Sequence, residues 1–291
     1  MAEILVIVVT YNGMNWIEGC LRSALASAVP CDILVVDNAS DDGTAAWVAE
    51  HFPEVTIINS PDNQGFAAAN NTGFRYALER EYSYVYLLNQ DARVFPETFG
   101  TLLRAFEATG SAGRPFGIVS PMQMEPSLMR MDAQFRKHCA SALEKDPGET
   151  VRVPFVMAAH WMVSRECLEK VGGFAPAFPH YGEDNNYIQR AAYHGFDTAV
   201  AKTASAVHDR ADRPRPKGYR MRLKVISAKV AVADPRRTPF LALAGQTVLL
   251  ALQGVKNLSA IPWKGIKELW KDYAMLKDCR KYSQQPGAFL N

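Results

Sequence analysis

No two cysteines stand in a CxxC pair. Cys20, Cys31, Cys139, Cys167 and Cys279 are widely spaced, which argues against a zinc ribbon or disulfide framework and makes a reducing compartment the default. The chain does not open on a basic region: MAEILVIVVTYN carries an acid third and a short apolar run, reading as a first strand rather than a signal peptide. Residues 240–255, the most apolar later stretch, contain Gly245 and Gln246 and are short for a membrane span. GxGxxG is absent, which argues against a nicotinamide dehydrogenase. What is present is a composition 48% hydrophobic and 21% charged over 291 residues, ordinary for a folded soluble chain. The net charge of +2 hides a division. Residues 1–201 hold 24 Asp and Glu against 14 Lys and Arg, and residues 202–291 hold 6 against 18. An acidic body and a basic tail face different partners.

The pattern predicts alternating strands and helices. Continuous β-branched or apolar runs at residues 4–9, 33–36, 55–59 and 84–88 read as buried parallel strands. Helical spacing follows at 16–25, 44–51 and 65–81. Further along, 96–107 reads as a helix, 116–122 and 151–163 as strands, and 125–150 as a polar insertion. Helices are expected at 165–171 and 184–194, and a last strand at 199–207. Residues 209–218 read as a charged linker, and helices are expected near 219–234, 239–255 and 263–283. This is an open α/β sheet, whose ligand crevice lies beyond the strand ends.

Polar clusters stand where apolar strands end: residues 37–42, 89–91 and 183–184. Asp and Asn after a strand also cap helices and make turns. Several along one alternating sheet converge on one crevice, where carboxylates suit a divalent metal and the metal suits a phosphate.

Five motifs, in order and at their spacings, resemble the family 2 glycosyltransferases, inverting enzymes of the GT-A fold. They are VVTYN (8–12), VVDNASDDGT (35–44), NQGFAAANNTG (63–73), LLNQDARVFP (87–96) and VGGFAPAFPHYGED (171–184), followed by His208. The resemblance runs from about residue 4 to 208. It implies a GT-A open mixed sheet flanked by helices, with a nucleotide-binding half at about 1–95 and an acceptor half at about 96–208. Thr10, Tyr11 and Asn12 fall where the family holds base and ribose, and Asp37 where an acid contacts the base. Asn38 replaces a second acid common in relatives. Asn63, Gly65, Asn70 and Asn71 match a loop and helix start facing the donor. Asn89 and Asp91 occupy the DxD position, with Asn89 in place of the first acid. Asp91 and His208 match the metal ligands, for Mn²⁺ or Mg²⁺. Asp184 matches the general base, with Glu183 beside it toward the acceptor. Trp161 matches a position near the acceptor site, where it either stacks on a sugar or belongs to the core; His160 has no assignment.

The resemblance thus implies transfer of a sugar from a UDP, dTDP or GDP donor to a saccharide or lipid-linked acceptor. Two alternatives stand beside it. A sugar-1-phosphate nucleotidyltransferase needs a Gly-rich basic loop after the first strand, whereas residues 10–16 hold one Gly and no Lys or Arg. A non-catalytic nucleotide- or sugar-binding subunit would account for Asn38, Asn89 and Asn186 replacing acids. Residues 219–291 lie outside the resemblance. Trp263, Ile266, Trp270, Tyr273 and Leu276 fall on one helical face with Lys264, Lys267, Lys271 and Lys277 mostly off it. Such a helix either seeks a membrane surface or packs on the catalytic part or on a second subunit. No nucleic-acid motif is present. The expected location is cytoplasmic, with peripheral contact at the inner face of the membrane as one option.

Overall fold

A computed structural model of the chain describes residues 2–107, 113–209 and 217–290. Most of the 209–218 linker lies outside the described residues. The first half alternates as expected: β1 (Ile4–Thr10), α1 (Ile17–Leu25), β2 (Cys31–Asp37), α2 (Thr44–His51), β3 (Thr56–Asn59), α3 (Gly65–Glu79) and β4 (Tyr84–Asn89). Then follow β5 (Ala92–Val94), α4 (Thr98–Glu107), β6 (Phe116–Met124), α5 (Ala133–Lys145), β7 (Thr150–Arg152), β8 (His160–Ser164), α6 (Arg165–Val171), α7 (Glu183–Tyr193) and β9 (Asp197–His208). Helices α8 (Tyr219–Ala233), α9 (Pro239–Lys256), α10 (Ala260–Lys271) and α11 (Tyr273–Tyr282) complete the chain.

The strands form one mixed sheet in the order β3-β2-β1-β4-β8-β6-β9-β5, with β7 against β9. Strands β3, β2, β1 and β4 are parallel, and β8 joins antiparallel. Covered on both faces, β1 buries Ile4 through Val8 without alternation, as a parallel strand between two helical layers must. One apolar layer holds Leu5, Ile7, Phe74, Trp161 and Phe174, and the other Ile4, Val6, Leu21, Tyr86 and Phe99.

Three sequence expectations are revised. The strand expected at 151–163 is two strands, because Pro154 has no N–H to give a ladder and the chain turns before β8. The polar insertion contains α5, whose first N–H groups, of Gln134 and Phe135, are accepted by Asp132. The helix expected at 263–283 starts earlier, at Ala260, and breaks at Asp272 into α10 and α11. Ser259 caps α10 through the Ile261 N–H, and Pro262 sits in its first turn, where no N–H partner is needed.

Candidate active site

Register decides which side chains meet. Thr10 pairs with Asp37 and Val9 with Asn89, so Thr10, Asp37 and Asn89 end adjacent parallel strands at one edge. Asp91 stands in the turn between β4 and β5, and the next residue, Ala92, pairs with His208. The long return strand β9 therefore delivers His208 to the same edge. Its Nε2 is 3.5 Å from Asp91 Oδ1, with the two side chains 5% and 10% exposed. The Nδ1 of His208 is buried and has no hydrogen-bond partner among the described residues.

The strand ends are stitched to one another. Gln90 accepts the Tyr11 N–H at 2.9 Å and returns its amide to the Tyr11 carbonyl at 3.2 Å. Tyr11 is half exposed over this edge, as a ring available for stacking would be. A Cβ on Gly13 would lie 2.7 Å from Gln90 Oε1 and 2.9 Å from Thr10 Oγ1, so a side chain there would push the Gln90 amide off Tyr11. Asp37 accepts from Ser40 with both oxygens, at 2.9 and 2.6 Å. Ser40 Oγ in turn accepts the Asn12 N–H, and Asn12 Oδ1 accepts the N–H of Asp41. Asn12 and Ala39 hold positive φ, 50° and 63°, conformations that non-glycine residues adopt at a cost. Asn38 gives its amide to Asn63 and accepts the Gln64 N–H, tying the end of β2 to the loop that opens α3. Gly65 takes φ +81°, and a Cβ there would meet the Pro179 carbonyl at 2.9 Å. The loop that opens α3 and the loop before α7 thus touch at a point only glycine allows.

Glu183 and Asp184 open α7 behind Gly182, which adopts the left-handed conformation and is itself the N-cap. Asp184 therefore lies inside the first turn and is not the cap. Its Oδ1 accepts the Asn185 N–H at 2.7 Å, and the helix dipole favours negative charge at this end. Glu183 is largely buried with one oxygen unpartnered. Burial, and then the charge of Asp184, push its carboxyl up to about 8. Asn186, one turn along, is fully buried with neither amide atom hydrogen-bonded.

Three sequence assignments are corrected. Trp161 is 0% exposed. It stacks among Phe174 and Tyr187 and donates to the Val156 carbonyl, so it offers no face to a sugar. Asn70 is likewise buried, its amide turned back on the Phe66 carbonyl one helical turn away. Its neighbour Asn71 is structural as well, bonding the Phe174 N–H and carbonyl and reaching the Phe289 carbonyl.

One residue left unassigned by the sequence has a place. His160 is buried between the Tyr86 hydroxyl at 2.8 Å and the Val207 carbonyl at 3.0 Å, its ring 6.3 Å from that of His208. Burial first, and His208 second, lower it to about 3, so the ring is neutral. Val207 can only accept, which puts the proton on Nε2 and leaves Nδ1 to accept from Tyr86. His160 therefore positions the end of β9 immediately before His208. The signal was visible as a His in an apolar run, but its partners come from β4 and β9. Cys20 supports the edge from below, its Sγ 3.5 Å from the Asn89 carbonyl. Burial, with Asp91 nearby, holds that thiol protonated.

The site thus sets a carboxylate–imidazole pair at the strand-end edge and two carboxylates in the first turn of α7. The Glycosyl transferase family 2 model matches residues 5–172. The undecaprenyl-phosphate mannosyltransferase of Micrococcus luteus is 37% identical over 107 residues, 35% of this chain and 44% of that protein; the match thus spans less than half of that relative. The N-acetylglucosaminyl-diphospho-decaprenol L-rhamnosyltransferase of Mycobacterium tuberculosis is 26% identical over 238 residues, 72% of this chain and 78% of that protein. Among solved structures, the mannosyltransferase PcManGT from Pyrobaculum calidifontis in complex with GDP-Man and Mn²⁺ superposes with a TM-score of 0.55 at 21% identity, covering 97% of this chain and 85% of that one. With more than half its length matched by the family model and the GT-A fold in place, the chain belongs to glycosyl transferase family 2.

Proposed function

We propose that this chain is an inverting, metal-dependent glycosyltransferase that moves a sugar from a UDP, dTDP or GDP donor to a saccharide or lipid-linked saccharide acceptor in cell-envelope glycan synthesis. The observation that carries the reading is the Asp91–His208 pair, a carboxylate and an imidazole 3.5 Å apart at the edge where Thr10, Asp37 and Asn89 end. A buried imidazole whose Nε2 faces a buried carboxylate fits two ligands of one divalent ion. This donor set suits Mn²⁺ better than Mg²⁺, because it includes nitrogen. The relatives support the acceptor class, since two of them are named for polyprenyl-linked substrates.

In this reading Thr10, Tyr11, Asn12 and Asp37 bind base and ribose, Asn38 and Asn63 shape the pocket wall, and Asn89 accepts from a donor hydroxyl. Asp91 and His208 would hold the cation, which neutralises charge on the departing diphosphate. Asp184 removes the acceptor hydroxyl proton as that oxygen bonds to the anomeric carbon and the bond to the diphosphate oxygen breaks, inverting the centre. Glu183, still protonated at neutral pH, spares Asp184 a like charge next to it. Residues 1–208 carry this chemistry and 219–291 its placement, at the cytoplasmic side of a membrane where lipid-linked acceptors are presented.

The test is nucleotide release from a panel of UDP-, dTDP- and GDP-sugars with Mn²⁺, with and without polyprenyl-diphospho-sugar acceptors. The expected result is turnover of at least one donor, abolished by chelation and by Asp184→Asn. Full activity in Asp184→Asn would refute the base assignment.

A further inference from the structure

The tail buries a core of its own. Val225, Ala228, Val232, Leu243, Leu250, Leu269 and Leu276 pack together and against Ala175 and Phe178 of the loop before α7. Helix α9 enters this core with one side only, through Ala242, Leu243, Leu250 and Gly254. Its other side is also apolar. Leu241 (68% exposed), Val248, Leu249, Leu252 (59%) and Val255 (65%) recur at helical spacing, continued by Leu258 at 95%. No charged residue interrupts α9 before Lys256. Apart from Gln246, Thr247 and Gln253 the helix is apolar on both sides, and a contiguous apolar surface of this kind marks an interaction site.

The flanks tell which partner. Trp270 donates to Thr247 Oγ1 at 3.0 Å, and Trp263 packs over Gly254, so both half-exposed indoles lie along α9. Lys264, Lys267 and Lys271 are exposed on the same helix as these rings, and Lys224 reaches Gln253 of α9 from the other side. Three of the four acids in residues 219–291 are held internally: Asp234 by Arg236 and Arg237, Glu268 and Asp272 by Lys229. The result is an apolar stripe bordered by indoles and cations.

We propose that the outward face of α9 lies in the headgroup–acyl boundary of an anionic membrane, with Trp263 and Trp270 at the interface and the α10 lysines on the lipid phosphates. Its inner side is committed to the bundle, so the helix lies in the plane and does not span. A second copy of the chain is the poorer occupant, since it would set like-charged flanks against each other. The proposal deepens the reading of a lipid-linked acceptor but is tested without donor or acceptor, so the two can fail separately.

The experiment is co-sedimentation of the full chain with phosphatidylcholine vesicles, with and without phosphatidylglycerol, beside light scattering of the free protein. The expected result is binding to the anionic vesicles, weakened by salt. Leu249→Glu with Leu252→Glu lowers affinity about tenfold or more while the circular dichroism melt and donor hydrolysis stay as in the parent. Lys264→Glu with Lys267→Glu loses the preference for phosphatidylglycerol. The proposal is overturned by no binding to either vesicle, by equal binding of the leucine variant, or by a dimer that the leucine variant converts to monomer.

Discussion

The strand-end edge and the C-terminal helices treat exposed side chains in opposite ways. At the edge, polar groups are tied to one another: Asp37 to Ser40, Asn38 to Asn63 and Gln64, Gln90 to Tyr11. What stays unpartnered there is confined to buried atoms such as His208 Nδ1 and Thr10 Oγ1. On α9, by contrast, the exposed large side chains are leucines, valines and Phe240, which no described residue covers. Buried polar groups without partners cost stability, and exposed apolar ones cost solubility. Each region thus leaves a demand of a different kind, which we propose is met by a cation and a diphosphate at the first and by an anionic membrane surface at the second.

Four perturbations separate the two regions. The largest effect belongs to Asp184→Asn, which should lower kcat by about 10²–10⁴ with nucleotide and vesicle binding retained; loss of vesicle binding as well would show the regions are coupled. Next is Arg190→Met. Arg190 is fully buried, donates to the Val171 and Gly173 carbonyls and stands 4.6 Å from the Phe289 ring, pinning the loop before the site to the end of the chain. Removing it should cost about 2–4 kcal/mol in a urea titration, and a change within error would mean the tail docks by other contacts.

His160→Gln comes third. It should leave the fold intact but weaken Mn²⁺-dependent nucleotide binding by about tenfold, the range seen when a group that orients a metal ligand is lost; unchanged affinity would remove His160 from its positioning role. The smallest is Glu183→Gln. Because the folded state raises this carboxyl to about 8, the native protein holds a proton that the unfolded chain has released. Stability contributed by Glu183 is therefore full at low pH and declines as pH rises from about 4.5 toward about 8. The variant should match the parent near pH 4 and melt a few degrees higher above pH 8; parallel melting curves across that range would contradict the burial.

Much of the edge was legible in sequence, for a physical reason. A parallel strand covered on both faces must be an unbroken apolar run, and the residue that ends it must be polar, so Thr10, Asp37 and Asn89 could be placed by inspection. What periodicity does not carry is which polar group a neighbour has already claimed. Asn70 and Asn71 look like donor contacts until α3 and the Phe174 loop use their amides. Trp161 looks like a platform until β8 proves to be a central strand. The tail inverted expectation. Its amphipathic signal sat on residues 263–276, yet Ile266, Tyr273 and Leu276 of that face pack inward, and Asp272 breaks the helix. The stretch at 240–255, read as short for a membrane span, lies in α9, which at 18 residues is long and apolar enough to cross one by length and composition, and it keeps an apolar face outward. Neighbouring helices decided this, and no window along one helix could.

The most direct test of the central claim is calorimetric titration of GDP, UDP and dTDP into the protein with and without Mn²⁺, for the parent and for His208→Ala. The account predicts that at least one nucleotide binds the parent tightly only with Mn²⁺, and that His208→Ala loses this metal-dependent gain. Nucleotide affinity unaffected by Mn²⁺, or metal-dependent binding unchanged in His208→Ala, would contradict a cation held between Asp91 and His208.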